Sequence, residues 1–460
     1  MKLLDTIAAV STPRGKGGVA IIRISGADAL KIGEMVFSPA NGKSLSELSV
    51  GRLSYGTVSM PSGETVDDGM AVYFRSPRSF TGEDTVEINC HGGMLVTQKV
   101  LSAVLTAGAR AAEAGEFTRR AYINGKMRLS EAEALGNLLE ASSDTQLKLA
   151  RSGVQGALAD RIDAIYDGLR STLTSVYAAI DFPDEDLSEM SREEIIESID
   201  RGLSEIKRLS ATYSTGRAIN EGVLTVICGR TNAGKSSVYN RILGYDAAIV
   251  TDIEGTTRDV LKESATLGKT LLRLCDTAGL RDTDDRVESI GIERTKSEME
   301  RADLILAVFD RSRPLTDEDI GLAEDIEKSN GVAVALFNKS DIEDSCDMTD
   351  IENRFEYRLN ISAKDGDGFD DLAELIDSLF IDGSLEIGND AVVTGARQYA
   401  SLLSADSALS DALSDLRADV PLDLCCVAIE SALVSLGEVD GRELGEEIVS
   451  EIFSRFCVGK

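Results

Sequence analysis

A phosphate-binding loop in the middle of the chain constrains the fold more than any other feature. Residues 229–237 read Gly-Arg-Thr-Asn-Ala-Gly-Lys-Ser-Ser and follow the apolar run Val223–Cys228. The spacing G-x-x-x-x-G-K-[ST] between a strand and a helix is typical of a P-loop. Gly234 lets the backbone wrap closely around phosphates, Lys235 can reach the outer phosphates, and the Ser236 hydroxyl can ligate Mg²⁺. The pattern predicts a nucleotide site that includes Asn232, Ala233, Gly234, Lys235, Ser236 and Ser237.

Three downstream motifs indicate that the nucleotide is GTP. Each follows a predicted strand, and they read Asp276-Thr277-Ala278-Gly279, Asn338-Lys339-Ser340-Asp341 and Ser362-Ala363-Lys364. Asp276 can hold the Mg²⁺ shell through water, and the N–H of Gly279 can meet the γ-phosphate. The Asp341 carboxylate can accept two hydrogen bonds from guanine, whereas adenine offers no matching donor pair. Their order and spacing predict a Ras-like α/β GTPase domain.

The segment between the P-loop and the Asp276 motif predicts the first switch. Thr257 is placed to complete the Mg²⁺ shell when the γ-phosphate is present. A polar hairpin loop is the alternative interpretation of residues 255–259. The predicted GTP site takes in this whole segment, namely Thr251, Asp252, Ile253, Glu254, Gly255, Thr256 and Thr257.

The water-activating residue of many GTPases is missing. Leu280 stands where they have a glutamine, and a leucine side chain can neither orient nor deprotonate water. The catalytic groups must therefore come from elsewhere, and the charged stretch 281–288 is the candidate region. The amide oxygen of Asn232 could ligate a monovalent cation, although asparagine is also common in tight loops.

Composition narrows the class of protein. A chain of 460 residues predicts two to three domains. The sequence has no apolar run near 18 residues and no processing site at its start, so we expect a soluble cytoplasmic protein with no membrane partner. The seven cysteines lack paired spacing and His91 is the single histidine, which argues against a zinc site. A net charge of −31 makes the chain a poor general binder of nucleic acid.

The regions flanking the nucleotide motifs differ in pattern. Residues before 118 read as mixed α/β, with Arg23 and Glu87 interrupting apolar strands, either on a solvent face or in a pocket. From about 119 the pattern is helical, with predicted capping boxes at Ser130-x-x-Glu133 and Ser191-x-x-Glu194. One long helical pattern, 144–180, ends before Pro183.

The pattern is helical again beyond about 385, at 394–419, 422–436 and 442–456. No helical segment looks wide enough to bury its apolar face alone, so we expect one bundle built from both flanks, with the GTPase domain inserted. The predicted domains are 1–118, 119–221, 222–384 and 385–460.

The chain also resembles the MnmE (TrmE) family of tRNA modification GTPases nearly from end to end. The terminal Cys-x-Gly-Lys beside a mid-chain P-loop is the most specific match. The other matching segments are Thr12–Gly18, Arg23–Gly26, Ser79–Asp84, His91–Gly93, Gly115–Thr118, Asn124–Lys126, Glu131–Ala134 and Asp181–Glu185. The resemblance implies an α/β and α multi-domain protein: an N-terminal α+β tetrahydrofolate-binding domain, a discontinuous helical bundle and an inserted Ras-like α/β P-loop GTPase domain.

The resemblance also implies ligands for these domains. The N-terminal domain would form a homodimer and bind a one-carbon tetrahydrofolate, such as the 5-formyl or methylene derivative, through Arg23, Glu87, Lys126 and Lys460. The GTPase domain would use K⁺ in place of an arginine finger, together with Mg²⁺ at Ser236 and Thr257. Glu288 would be the catalytic residue that orients water, which fills the gap left by Leu280. The implied K⁺ ligands are Asn232, Thr251, Ile253 and Thr256.

The family works with the FAD-containing protein MnmG in a heterotetrameric complex. Together they add a carboxymethylaminomethyl or aminomethyl group at C5 of the wobble uridine of certain tRNAs, and Cys457 matches a candidate catalytic thiol. This chain departs from the family at Ala114, Arg128 and Val458, where proline, aspartate and isoleucine are usual. Two other functions remain open: a ribosome-assembly GTPase, and a non-enzymatic GTP-dependent scaffold.

Overall fold

The computed structural model describes residues 5–13, 15–181, 190–245, 263–275, 297–342 and 347–459. The chain divides into two compact units, Met1–Gly136 with Leu433–Lys460, and Asn137–Ala432. The first unit is therefore built from both ends of the chain. The domain boundaries expected from the sequence remain a prediction.

The first unit is built on a seven-stranded sheet, of order β3-β4-β5-β6-β2-β1-β7. Its neighbouring strands are antiparallel except for β1 and β7. Ile22, Ile24 and Ile88 point to one face and are fully buried in the cluster that packs with α1 and α2. The strands are β1 Ile7–Val10, β2 Val19–Ser25, β3 Phe37–Pro39, β4 Ser54–Ser59, β5 Thr65–Phe74, β6 Thr85–His91 and β7 Arg110–Ala111. The helices that follow these strands are α1 Ala29–Val36, α2 Met94–Thr106 and α3 Glu116–Ile123, with a 3₁₀ turn at Leu45–Glu47.

The helix after α3 begins earlier than its predicted cap. Helix α4, Leu129–Glu140, starts at the fully buried Leu129. The N–H of Arg128, the residue just before the helix, donates a hydrogen bond to the Glu131 carboxylate at 2.9 Å. Ser130 lies inside the helix and is buried. The prediction that Ser130 and Glu133 form the N-terminal capping box was therefore wrong.

The helices of the second unit include one break that the sequence pattern missed. The predicted helix 144–180 is two helices, α5 and α6, because Gly156 adopts a left-handed φ of 88° that a helix cannot contain. The Ser191–Glu194 capping box is confirmed. The helices are α5 Asp144–Val154, α6 Ala157–Asp181, α7 Arg192–Ala211 and α8 Tyr213–Asn220. Toward the C-terminus follow Ala396–Arg417, Leu422–Asp440, which runs past the unit boundary, and Glu446–Ser454 in the first unit.

The second unit also contains a six-stranded sheet of order β13-β12-β11-β8-β10-β9. All neighbours are parallel except β9 and β10, which form a hairpin. Parallel strands place their carboxyl ends, where ligands bind in such sheets, at one edge. The strands are β8 Val223–Gly229, β9 Glu263–Leu267, β10 Thr270–Leu274, β11 Leu304–Asp310, β12 Val332–Asn338 and β13 Tyr357–Ile361. The helices beside them are α9 Lys235–Tyr245, Asp317–Ile326, Thr349–Glu352 and Phe369–Phe380.

Candidate functional site

The P-loop connects the end of β8 to the start of α9. Asn232 has a φ of 65° and Gly234 a φ of 100°, both in the left-handed region. Asparagine and glycine are the residues that tolerate this conformation best. A side chain at Gly234 would also overlap the Asn338 amide. The loop therefore requires these residue types for its own backbone path.

Lys235 is a partly buried cation within the P-loop. Its ammonium donates a hydrogen bond to the Arg230 carbonyl of the same loop at 2.9 Å. Burial lowers the pKa of Lys235, and the nearby charge of Arg313 lowers it further. A phosphate would relieve both effects, because it supplies a negative charge beside a partly desolvated cation. Ser236 and Ser237 follow in the first turn of α9.

Asn338 joins the P-loop to the loops of the two predicted guanine-side motifs. Its side-chain amide donates to the Ala233 carbonyl at 2.9 Å. Its amide oxygen accepts from the backbone N–H of Ala363 at 3.0 Å. Asn338 is only 3% exposed, so both bonds are shielded from water. Three segments far apart in sequence thus meet at one side chain.

The proposed guanine acceptor is held at the same edge of the sheet. The Ser362 hydroxyl donates to Asp341 at 3.0 Å, and the Lys364 ammonium lies 3.8 Å from the same carboxylate. The Ser340 N–H donates to the Ile361 carbonyl at 3.1 Å. The structure therefore brings together all the described members of the two predicted guanine-side motifs.

A second candidate site lies in the first unit, on the sheet face opposite α1 and α2. Arg23 on β2 is paired in register with Glu87 on β6, and their side chains form a 2.8 Å ion pair. Each side chain is 19% exposed. The Arg23 guanidinium carbon lies 5.2 Å from the centre of the Phe80 ring and 5.6 Å from that of Phe117. The pair is thus partly covered by two aromatic rings rather than open to water.

Lys126 lies against the loop that carries Phe80. Its ammonium donates to the Pro77 carbonyl at 3.0 Å, while Asn124 donates to the Thr81 carbonyl at 2.8 Å. Arg23, Glu87 and Lys126 are therefore linked through one loop, residues 77–81.

The C-terminal tail packs on the first unit. The Ser11 hydroxyl donates to the Gly459 carbonyl at 2.9 Å, and the Gly115 N–H donates to the Cys457 carbonyl at 3.3 Å. Val458 forms an isolated bridge with Ala114. Cys457 is exposed and carries a free thiol. Lys460 lies outside the described residues.

Comparison with known proteins gives matches across nearly the whole chain. Residues 129–457 match the family described as MnmE helical domain, and residues 6–126 match the GTP-binding protein TrmE N-terminus. A tRNA modification GTPase MnmE from Clostridioides difficile is 39% identical over 458 residues, covering 99% of each chain. The protein of that name from Bacillus subtilis is 39% identical over 461 residues, covering 99% of this chain and 100% of the relative. The chain belongs to the MnmE family of tRNA modification GTPases.

A solved structure also matches part of the chain. It is a variant of Era from Aquifex aeolicus bound to GDP·AlF₄⁻, with 22% identity, a TM-score of 0.27, and coverage of 40% of this chain and 66% of that one. None of the helices in the described ranges is long and apolar enough to cross a membrane.

Several residues expected from the sequence motifs or from the MnmE resemblance lie outside the described residues. They are the switch residues Thr251, Asp252, Ile253, Glu254, Gly255, Thr256 and Thr257, the motif Asp276, Thr277, Ala278 and Gly279 with Leu280, and Glu288. Their roles in binding Mg²⁺ and K⁺ and in orienting water remain predictions. Of the expected K⁺ ligands, Asn232 is described, and its left-handed turn belongs to the P-loop itself.

The residues present suit the two implied ligands. A phosphate chain fits a loop with a partly desolvated lysine and glycine at its closest approach. A pterin-like ring with a carboxylate tail fits aromatic faces beside an arginine, a carboxylate and a lysine.

The sequence patterns did not predict the ion pair and the hydrogen bond that two arginine side chains form at the P-loop. Arg230 forms a 2.8 Å ion pair with Glu318, and Arg313 donates to the Thr231 carbonyl at 3.3 Å. A cluster of charged residues directly after the apolar run of β11 was the available signal.

Proposed function

We propose that this chain hydrolyses GTP as part of tRNA wobble-uridine modification. The observation that carries the proposal is the meeting of the P-loop and both guanine-side loops at Asn338. The length match to relatives named tRNA modification GTPase supports assigning the activity to the whole chain rather than to an isolated domain.

In this proposal the residues of the second unit divide the work. Asp341 accepts the paired donors of guanine, while Lys235 and the N–H groups of the loop bind the phosphates. Ser236 and Thr257 hold Mg²⁺, and the K⁺ ligands are Asn232, Thr251, Ile253 and Thr256. When bound, the two cations neutralise charge that develops on the phosphates. Glu288 orients the attacking water, which Leu280 cannot do.

The first unit would supply the one-carbon group. We infer that Arg23, Glu87, Lys126 and Lys460 bind a tetrahydrofolate derivative, with the rings of Phe80 and Phe117 beside Arg23. The chain would act as a homodimer with an FAD-containing MnmG partner. The product would be a carboxymethylaminomethyl or aminomethyl group at C5 of the wobble uridine.

The cation requirement has a direct test. GTP turnover should be much faster in KCl than in NaCl at equal ionic strength, since the pocket is proposed to select the larger cation. Glu288→Ala should retain GDP affinity and lose hydrolysis. Equal rates in the two salts would remove K⁺ from the mechanism, and unchanged turnover of the variant would remove Glu288.

Reconstitution tests the modification itself. The full chain is combined with the FAD partner, tRNA, GTP, KCl and methylene-tetrahydrofolate, and the nucleosides are analysed by mass spectrometry. Modified uridine should require every component. GTP turnover without modified uridine would favour a ribosome-assembly GTPase, and neither activity would favour a scaffold.

A further inference from the structure

The last residue of β11 is a buried carboxylate beside the guanine motif. Asp310 is paired in register with Asn338 at the end of β12, and its side chain is 3% exposed. A carboxylate this buried requires charged or hydrogen-bonding partners, because losing water costs an ion several kcal/mol.

Three residues supply those partners. The Lys339 ammonium lies 2.6 Å from one carboxylate oxygen, and Arg313 Nε lies 3.3 Å from the same oxygen. The other oxygen accepts from Ser312, from its hydroxyl at 2.6 Å and its N–H at 3.0 Å. Burial raises the pKa of Asp310, but the hydrogen bonds from Lys339 and Ser312 outweigh it and hold the pKa below its usual value.

The Lys339 contact fixes an unfavourable turn. Lys339 has a φ of 67°, a left-handed conformation that a lysine adopts only when its surroundings hold it. This turn separates Asn338, which is fixed by its own two hydrogen bonds, from Asp341, which reads the base. The ion pair to Asp310 therefore acts on the part of the motif that Asn338 does not hold.

The Arg313 contact reaches the phosphate side. Arg313 Nη2 donates to the Thr231 carbonyl in the P-loop at 3.3 Å. Thr231 precedes Asn232, the left-handed residue of that loop. One carboxylate is thus connected to the guanine motif through Lys339 and to the P-loop through Arg313.

We propose that Asp310 is a positioning residue that aligns the guanine-reading turn through Lys339 and steadies the P-loop through Arg313. The proposal rests on the GTP site proposed above and adds a determinant of its base specificity. It differs from the Asn338 link because it is ionic and joins different residues of the same loops.

The contact through Lys339 and the contact through Arg313 can be tested separately by measuring the affinities of the full chain for different nucleotides. IDP lacks the exocyclic amine of GDP, so the ratio of the two affinities reports the second hydrogen bond to Asp341. Asp310→Asn should lower the GDP-to-IDP preference by roughly tenfold, the worth of a charge-assisted hydrogen bond. Ser312→Ala keeps the charge, removes one orienting bond, and should lower the preference by a smaller factor. Arg313→Ala should weaken GDP and IDP binding equally and leave their ratio unchanged.

A matched control is available on the same domain. Asp325→Asn makes the same change at a carboxylate 3.8 Å from the exposed Lys328, and should alter neither the ratio nor the melting temperature. A simple loss of folded protein would reduce both affinities together, so the ratio distinguishes positioning from destabilisation. A wild-type preference that persists in both Asp310→Asn and Ser312→Ala would overturn the positioning role alone. Wild-type protein without any preference for GDP would overturn the proposed GTP site as well.

Discussion

At the scale of single residues, Arg120 forms a buried network of ion pairs in the first unit. It is 1% exposed and pairs with Asp5 at 2.7 Å, with Glu116 at 3.0 Å and with Glu83 at 3.2 Å. Glu83 also accepts a hydrogen bond from Ser25 on β2 at 2.8 Å. The network therefore ties α3 to the loop that carries Phe80, and it supports the surroundings of Arg23.

Replacing Arg120 should destabilise the first unit strongly. Arg120→Met removes one of the two guanidinium groups that pair with Glu116, itself 4% exposed, while Arg110 stays 2.7 Å away. Breaking a buried pair costs about 3–5 kcal/mol when the partner is left unpaired, so the loss should reach at most that range. The measurement is urea-induced opening of α3 followed by hydrogen-exchange mass spectrometry. Arg455→Met is the control, because its pair with Glu451 is exposed on both sides (77% and 68%) and such pairs contribute about 0–1 kcal/mol. Equal effects of the two substitutions would show that the network does not stabilise the unit.

The same network predicts that the loss of stability caused by Arg120→Met depends on pH. Burial would raise the pKa of Glu116, but Arg110, the Glu113 N–H and Arg120 outweigh it and hold the pKa below the usual 4.5. A lowered carboxyl pKa contributes stability that is complete above 4.5 and is lost as the pH falls through the folded-state value. The difference between wild type and Arg120→Met should therefore be full at pH 7 and shrink below about pH 4.5. A difference that stays constant into that range would contradict the assignment to Glu116.

At the scale of elements, the sequence predicted the strands and helices that are encoded in a short stretch of neighbouring residues. The apolar runs before the P-loop and before Asn338 are strands, and the Ser191 box caps α7. The α5–α6 break was missed because glycine in a helical pattern is compatible with a continuous helix, as Gly153 inside α5 and Gly168 inside α6 show. The cap of α4 was misplaced because burial of Leu129 decides where that helix begins.

The same difference between local and long-range signals applies to the site residues. The contiguous nucleotide motifs could be recognised from spacing alone, since their chemistry is local to each loop. The roles of Asp310, Arg313 and Arg120 could not, although a charged cluster after β11 marked the first two. Some of their partners lie close in sequence, but the decisive ones come from a neighbouring strand, from the P-loop or from the other end of a unit. Tertiary contacts, not residue type, define what these side chains do.

The turn of the β9–β10 hairpin is hydrogen-bonded to a carboxylate on a neighbouring helix. Asp377, on the helix Phe369–Phe380, accepts from the Lys269 N–H with both oxygens, at 3.0 and 2.9 Å, and from the Thr270 hydroxyl at 2.7 Å. Thr270 is fully buried, so Asp377→Ala leaves a donor without an acceptor, at a cost of about 1–3 kcal/mol. Exchange of the Lys269 amide should accelerate. Glu374→Ala, an exposed position on the same helix, should leave that exchange unchanged, and identical rates in both variants would rule out the anchoring role.

At the scale of the whole molecule, charge constrains how the chain can meet tRNA. It has 79 acidic and 48 basic residues, for a net charge of −31. Nucleic-acid affinity comes largely from lysine and arginine contacts to phosphates, while a large net charge of the same sign as the ligand slows encounter. The proposed function therefore requires either a local basic surface on this chain or another protein that supplies much of the positive surface, and the large acidic excess favours the second.

This requirement predicts how binding divides between the partners. The chain alone should bind tRNA weakly at about 150 mM salt, and addition of the proposed FAD-containing partner should raise the affinity to about that of the partner by itself. Filter binding across a salt series measures this directly, because the slope of log affinity against log salt reports the number of phosphates neutralised. The slope of the complex should match that of the FAD partner, since this chain adds few cations. A steep slope for the chain alone would instead reveal a local basic surface, and the division of labour between the two proteins would then be wrong.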